Sequence, residues 1–202
     1  MALSAESAYA RLAPVYDLVY GIGLKPGRRR AMELLDPRPG ERILEVGTGT
    51  GLSALDYPAG CRVVAIDLSA PMLARARSRL AARPGQVSLC RMDACRLAFS
   101  GERFDAVYAP YVLNVVSDPV AMMQEMRRVC RPGGRIVLLN HFRAETGGDS
   151  VVSRLLGGVA TVAGKARWDM DVAMLADAGL AAVTVEPVNV ARVSTVVVCR
   201  RA

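Results

Sequence analysis

The 202-residue sequence has one histidine, one tryptophan and three phenylalanines, and it lacks any apolar run long enough to cross a bilayer. A spanning helix needs roughly 20 predominantly apolar residues. The longest candidate, VVSRLLGGVATVAG from Val151, is shorter and contains Arg154. The N-terminus has no basic stretch, and Glu6 stands where an apolar leader would begin, so no cleaved signal is expected. The five cysteines (Cys61, Cys90, Cys95, Cys130 and Cys199) are odd in number and show neither a CxxC pair nor a Cys/His ligand spacing. That argues against a disulfide framework or a metal site and for buried free thiols in a reducing compartment.

Apolar and basic residues are plentiful. The chain is 52% hydrophobic and carries a net charge of +7, from 26 basic against 19 acidic residues. Such a surface suits nucleic acid, anionic lipid or an acidic small molecule. Two clusters stand out: KPGRRR (Lys25, Arg28, Arg29, Arg30) and ARARSRLAAR (Arg75, Arg77, Arg79, Arg83), the second reading as the solvated face of a helix. No recognition motif for nucleic acid is present, and the basic residues are not interleaved with the aromatics a stacking platform needs. Nucleic acid is therefore not an expected partner.

From residue 42 the sequence alternates short apolar runs with longer helical segments. RILEV, RVVAI, QVSLCRM, RFDAVYA and GRIVLLN read as five strands, nearly continuous in apolarity as strands covered on both faces are. Ser69 to Arg83 and Asp118 to Arg131 each open with a capping residue and a nearby proline, as helices do, and the second stops at RPGG. This rhythm predicts a Rossmann-like, doubly wound α/β sheet. Beyond residue 141 the expectation is a loop at AETGGDS, helices over Val151–Lys165 and Asp171–Ala178, and an antiparallel strand pair in LAAVTVEPVNV and VSTVVVCRR. The length suits one domain over 1–202, with an N-terminal helical lid over 1–36 and a cofactor-binding core over 40–202.

The stretch ILEVGTGTGLS places Gly47, Gly49 and Gly51 between the first strand and an expected helix, where the backbone turns tightly and passes close to a ligand. A dinucleotide fingerprint would require glycine at 52, where the chain has Leu52. Asp67 ends the second strand and suits a ribose diol, or else a helix cap. Glu45 lies inside the first strand, a costly place for a charge unless it answers a ligand cation or holds the loop. Asp93 follows the third strand in MDA, where an acid can receive an exocyclic amino group.

Through EVGTGTG, AIDLS, MDA and RPGGRIVLLN the chain resembles the class I S-adenosylmethionine-dependent methyltransferases over roughly residues 40 to 200. The resemblance implies a seven-stranded sheet with the last strand antiparallel. It implies that Gly47 to Gly51 hold the methionine side of the cofactor, Asp67 the ribose, and Asp93 with Ala94 the adenine. Further implied cofactor contacts are Thr48, Leu68, Met72, Pro110 and Tyr16.

YARLAPVYDLVYGIGLKPGRRRAMELL, FDAVYAPYVLNVVSDP and PVNVARVSTVVVCRR resemble the bacterial phosphatidylethanolamine N-methyltransferases across almost the whole chain. The implied reaction carries methyl groups from S-adenosylmethionine to the lipid amine and its mono- and dimethyl derivatives. A C- or O-methyltransferase of a quinone or another apolar small molecule is the alternative. Aromatic faces stabilise a methylated ammonium, so Tyr16 and Tyr111, with His141 at the end of the fifth strand, are the expected catalytic group. Tyr9, Tyr20, Arg28, Asn114 and Asn189 complete the expected acceptor contacts, the two asparagines toward a lipid phosphate. In APY, Ala109 supplies no acceptor for a nucleobase amine. Residues 5 to 20 form an amphipathic pattern followed by KPGRRR, which suits an interfacial helix with a basic flank. The expected protein is a cytoplasmic monomer, peripherally associated with the inner face of the membrane through anionic lipids.

Overall fold

A computed structural model describes residues 23–82, 85–142, 170–189 and 192–202. In chain order the elements are α1 (Lys25–Leu35), β1 (Arg42–Val46), a 3-10 turn (Ser53–Leu55), β2 (Arg62–Asp67), α2 (Ala70–Arg79), β3 (Val87–Arg91), β4 (Phe104–Pro110), α3 (Pro119–Val129), β5 (Cys130–Asn140), α4 (Met174–Asp177), β6 (Ala182–Val188) and β7 (Ser194–Arg200). The strands form one sheet in the order β3-β2-β1-β4-β5-β7-β6. Strands β1 to β5 pair in parallel, and β7 runs antiparallel to both β5 and β6. The seven-stranded sheet with a reversed last strand is thus the observed topology.

The apolar continuity of the central strands follows from cover on both faces. On one face α1 lays Ala31, Met32 and Leu35 against Ile43, Val63, Ala106, Val137 and Val198. On the other, Met122, Met123 and Met126 of α3 join Leu44, Val46, Ile66, Val107 and Leu138, with Leu175 and Leu180 extending the cluster. Residues 25–35, assigned from sequence to a lid, are therefore a core helix. The reason is their apolar stripe, whose Ala31 and Leu35 are fully buried.

Several boundaries differ from the sequence expectation. After the glycine turn the expected helix is a single 3-10 turn, Ser53–Leu55, cut short before Pro58 and the left-handed Gly60. Helix α3 ends at Val129, and β5 begins at Cys130 rather than Gly134, so RPGG lies within a strand whose pairing with β4 shifts between Phe104 and Ala106. Helix α2 stops at Arg79, with Leu80 closing it through its N–H on the Ala76 carbonyl. Of Asp171–Ala178 only Met174–Asp177 is helical, following an Asp171 carboxylate that accepts the Ala173 N–H. The loop at AETGGDS and the helix at Val151–Lys165 lie outside the described residues, as do Tyr9, Tyr16 and Tyr20.

Candidate functional site

Strand order reverses between β1 and β4, and the crevice beyond the carboxyl ends of strands at such a point is where open α/β sheets take ligands. After β1 the chain turns through Gly47, Gly49 and Gly51 at φ values of 72°, 56° and 79°. The N–H groups of Gly47 and Thr48 both donate to the Ile66 carbonyl at 2.9 Å, which ties the turn to β2. A Cβ on Gly47 would come within 2.4 Å of the Val112 side chain, so the glycine serves close packing as well as the left-handed backbone. A Cβ on Gly49 would meet no atom within 4 Å, so open space lies over the middle of the turn.

Asp67 flanks that space. Its Oδ2 accepts the Gly49 N–H and its Oδ1 the Ser69 N–H, both at 2.8 Å. It therefore braces the glycine turn and opens α2 together, while each oxygen keeps a further lone pair for a ligand. Burial pushes its carboxyl above the usual range, offset in part by the N–H groups of Ser69, Gly49 and Leu68. Leu68 beside it is 59% exposed. Just beyond the end of neighbouring β3, Asp93 is exposed with its Oδ1 on the Cys95 N–H at 2.9 Å, and Ala94 next to it is buried. Met72 is buried in α2. An open glycine turn, a strand-end carboxylate, an exposed leucine and a second acid fit the sugar and base of a nucleoside.

Glu45 is 0% exposed. Its Oε1 accepts the Thr48 hydroxyl at 2.7 Å, and its Oε2 has no hydrogen-bond partner. Burial pushes its carboxyl up to about 7, against the opposing influence of Thr48, nearby Tyr57 and Arg28. A desolvated acid with so raised a carboxyl marks Glu45 as a functional-site candidate. Arg28, expected to reach lipid headgroups, is instead 7% exposed and favours the ionised forms of Glu45, Tyr108 and Tyr111. It sits on the inner face of α1, because α1 turns its apolar side to the sheet and Arg28 is one turn before Ala31 and Met32.

The ends of β4 and β5 carry the second half of the site. Pro110 ends β4 in a buried position, and Tyr111 follows with φ 55° and its N–H on the Leu139 carbonyl at 2.6 Å. The Tyr111 ring lies 5.3 Å from the His141 imidazole, tilted by 36°. The His141 Nδ1 is 2.7 Å from the Val193 carbonyl, which can only accept, so Nδ1 carries the proton and the neutral ring has its lone pair on Nε2. Burial holds His141 below its ordinary value, against the pull of the Val193 carbonyl. Burial raises the Tyr111 phenol, opposed by Ser194, Asn189 and Arg28.

The two asparagines expected to face a phosphate do not. Asn114 is buried with its Nδ2 on the His141 carbonyl at 3.4 Å. Asn189 uses its amide on Gly27, Tyr111 and Ser194. Sequence reasoning missed Gly27, Tyr57 and Ser194. Gly27, directly after Pro26 at a helix start, was the one carrying a signal, since a glycine inside a helix has a cost.

A glycine turn and two strand-end acids on a seven-stranded sheet with a reversed last strand define a Rossmann-like methyltransferase. A family model described as a methyltransferase domain matches residues 44–138. The chain is 38% identical over 177 residues to the phosphatidylethanolamine N-methyltransferase of Cereibacter sphaeroides, covering 86% of this chain and 85% of that protein. It is 36% identical over 155 residues to the demethylmenaquinone methyltransferase of Thermus thermophilus, covering 73% and 70%. A solved S-adenosylmethionine-dependent methyltransferase from Aquifex aeolicus shares the fold, with a TM-score of 0.70 at 17% identity over 96% of this chain and 98% of that one. The chain belongs to the S-adenosylmethionine-dependent methyltransferases, and S-adenosylmethionine is its cofactor.

Proposed function

We propose that the protein transfers methyl groups from S-adenosylmethionine to the amine of phosphatidylethanolamine and of its mono- and dimethyl derivatives, giving phosphatidylcholine. The extent of the likeness to the Cereibacter protein carries this reading. Its 177 residues run well beyond the span 44–138 of the family model.

The bound cofactor supplies an electrophilic sulfonium methyl. The chain has to hold a nitrogen lone pair in line with it, and orientation is the main source of acceleration for such a transfer. Tyr111 and His141 form the aromatic corner that holds the nitrogen, and each good cation–π contact contributes about 0.5 to 2 kcal/mol. His141, neutral by burial, presents Nε2 as an acceptor for an amine N–H. On the cofactor side, Glu45 answers the positive charge of the methionine moiety across the turn of Gly47 to Gly51, Asp67 takes the ribose, and Leu68, Asp93 and Ala94 take the adenine. Tyr16 belongs to the same reading, outside the described residues.

A double-chain lipid is met at a bilayer, so the enzyme works as a monomeric single domain on the inner face of the membrane. Among the described residues no helix is long and apolar enough to cross a membrane. Arg29 and Arg30 are both paired with Glu33, and Arg30 also with Glu186, so attraction to anionic lipid rests on the exposed Lys25 and on the segment 68–92, which has five arginines and no acid.

The Thermus relative favours a second reading, carbon methylation of a quinone ring. Incubation with radiolabelled cofactor and vesicles of phosphatidylethanolamine or its mono- or dimethyl derivative, with demethylmenaquinone in parallel, separates the two. Label in the phospholipid fraction is the expected result. Label confined to the quinone overturns the lipid reading.

A further inference from the structure

Asn189, the residue after β6, directs one side-chain amide at three other parts of the fold. Its Oδ1 accepts the Gly27 N–H at 2.6 Å, in the first turn of α1 and 162 residues away. Its Nδ2 donates to the Tyr111 hydroxyl and to the Ser194 hydroxyl, both at 2.9 Å. The Ser194 Oγ in turn lies 3.2 Å from the His141 Nδ1. Two backbone features serve this contact. Asn189 has φ 67°, which asparagine tolerates better than most residues. A Cβ on Gly27 would come within 2.7 Å of both polar atoms of the Asn189 amide, so only glycine admits it.

Helix α1 has no cap of its own, since Leu24 stands at its N-cap position and no side chain there accepts a hydrogen bond. Asn189 supplies the missing acceptor from the far end of the chain. The amide cannot be turned over: with Oδ1 on the Gly27 N–H, both protons of Nδ2 point to the two hydroxyls. The tyrosine and serine oxygens are thereby fixed as acceptors, on the same plane that fixes the helix.

We propose that Asn189 is a positioning residue of the acceptor rim, orienting the Tyr111 phenol and the Ser194–His141 pair from the amide that caps α1. This rests on Tyr111 and His141 being the acceptor-contacting groups and holds for an amine or a quinone acceptor alike. It replaces a direct contact of Asn189 with lipid phosphate.

Two substitutions separate positioning from plain stability. Asn189→Asp keeps the acceptor for Gly27 and a residue type that tolerates positive φ, but it removes both donors, so Tyr111 and Ser194 must turn their protons toward the new carboxylate. Asn189→Ala removes the cap as well. The expected result for Asn189→Asp is a dissociation constant for S-adenosylmethionine within about twofold of the parent, a kcat reduced by about tenfold or more, and shifted ring-nitrogen NMR signals of His141. Those signals are unambiguous because His141 is the only histidine. Asn189→Ala should lose thermal stability in addition. Parental His141 signals and kcat in Asn189→Asp, or loss of kcat only in proportion to Tm across the two variants, would overturn the proposal. Should the parent methylate demethylmenaquinone rather than phospholipid, kcat is measured on the quinone. The NMR readout needs no acceptor, so failure of the lipid reading leaves this test intact.

Discussion

Replacing Glu45 by glutamine should make the cofactor-free protein more stable above neutral pH and less stable in acid. The carboxyl is 0% exposed, with one oxygen on Thr48 and the other unpartnered, and burial raises it from 4.5 to about 7. The folded value lies above the unfolded one, so between these pH values the native state binds more protons than the unfolded chain. Stability therefore falls as pH rises through that window and levels off above about 7. At about 1.4 kcal/mol per unit, the charge costs on the order of 3 kcal/mol at pH 8. Glutamine keeps the acceptor for the Thr48 hydroxyl but buries an amide N–H₂, which returns about 1 kcal/mol or more of that gain. The net expectation is about 1 to 2 kcal/mol at pH 8, a rise in Tm of roughly 3 to 6 °C for a chain of this size.

Melting curves of both proteins across pH 5 to 8, without cofactor, measure the difference. A difference in Tm that is constant with pH, or a glutamine variant that melts lower at pH 8, would refute the reasoning. Calorimetry completes the test. If Glu45 is retained because it meets the cofactor's positive charge, parental affinity for S-adenosylmethionine rises as pH passes through about 7, and the glutamine variant loses both that rise and the affinity.

Three further perturbations test other parts of the frame. Asp67→Ala removes the acceptor for the Gly49 and Ser69 N–H groups, and cofactor affinity should fall about tenfold or more, equivalent to about 1.4 kcal/mol; unchanged binding by calorimetry removes Asp67 from the site. Gly47→Ala forces a Cβ toward Val112 at φ 72°, with an expected loss of about 2 kcal/mol or more in denaturant melts, of which Val112→Ala relieves only the steric share. Arg135→Ala strips the Leu35 carbonyl at 2.7 Å of its donor and Glu41 of its guanidinium partner, leaving Glu41 the Arg38 N–H, and Arg135 is 7% exposed. Breaking so buried a pair costs about 3 to 5 kcal/mol; a loss under about 1 kcal/mol in urea would show the pair to be solvent-screened.

The parts of the fold that could be read from sequence are those set by local rules. The turn of Gly47, Gly49 and Gly51, Asp67 at the end of β2, the proline-started helices α2 and α3, and the antiparallel β6–β7 pair all depend on residues close in the chain. The misreadings come from contacts between distant segments. KPGRRR looks like a surface patch by spacing, yet Arg28 is buried, where its charge favours the ionised forms of Tyr108 and Tyr111, and Arg30 is paired with Glu186, 156 residues away. RPGG has the chemistry of a stop, but the parallel partner β4 extends β5 back to Cys130.

The same distinction explains why the acceptor rim is harder to read than the cofactor cradle. The cradle is one contiguous turn braced by two carboxylates, Glu45 from the strand that leads into it and Asp67 from the adjacent strand. The rim is assembled from Gly27 of α1, Tyr111 after β4, His141 after β5, and Asn189 and Ser194 on either side of the β6–β7 connection. In the sequence Gly27 is a glycine after a proline and Asn189 one asparagine among several. Only the fold shows that the glycine is small because the asparagine must approach it, and that the asparagine has a left-handed backbone because its amide must serve both α1 and Tyr111. Under the proposed function, the acceptor is met by contacts between distant segments that no short motif encodes.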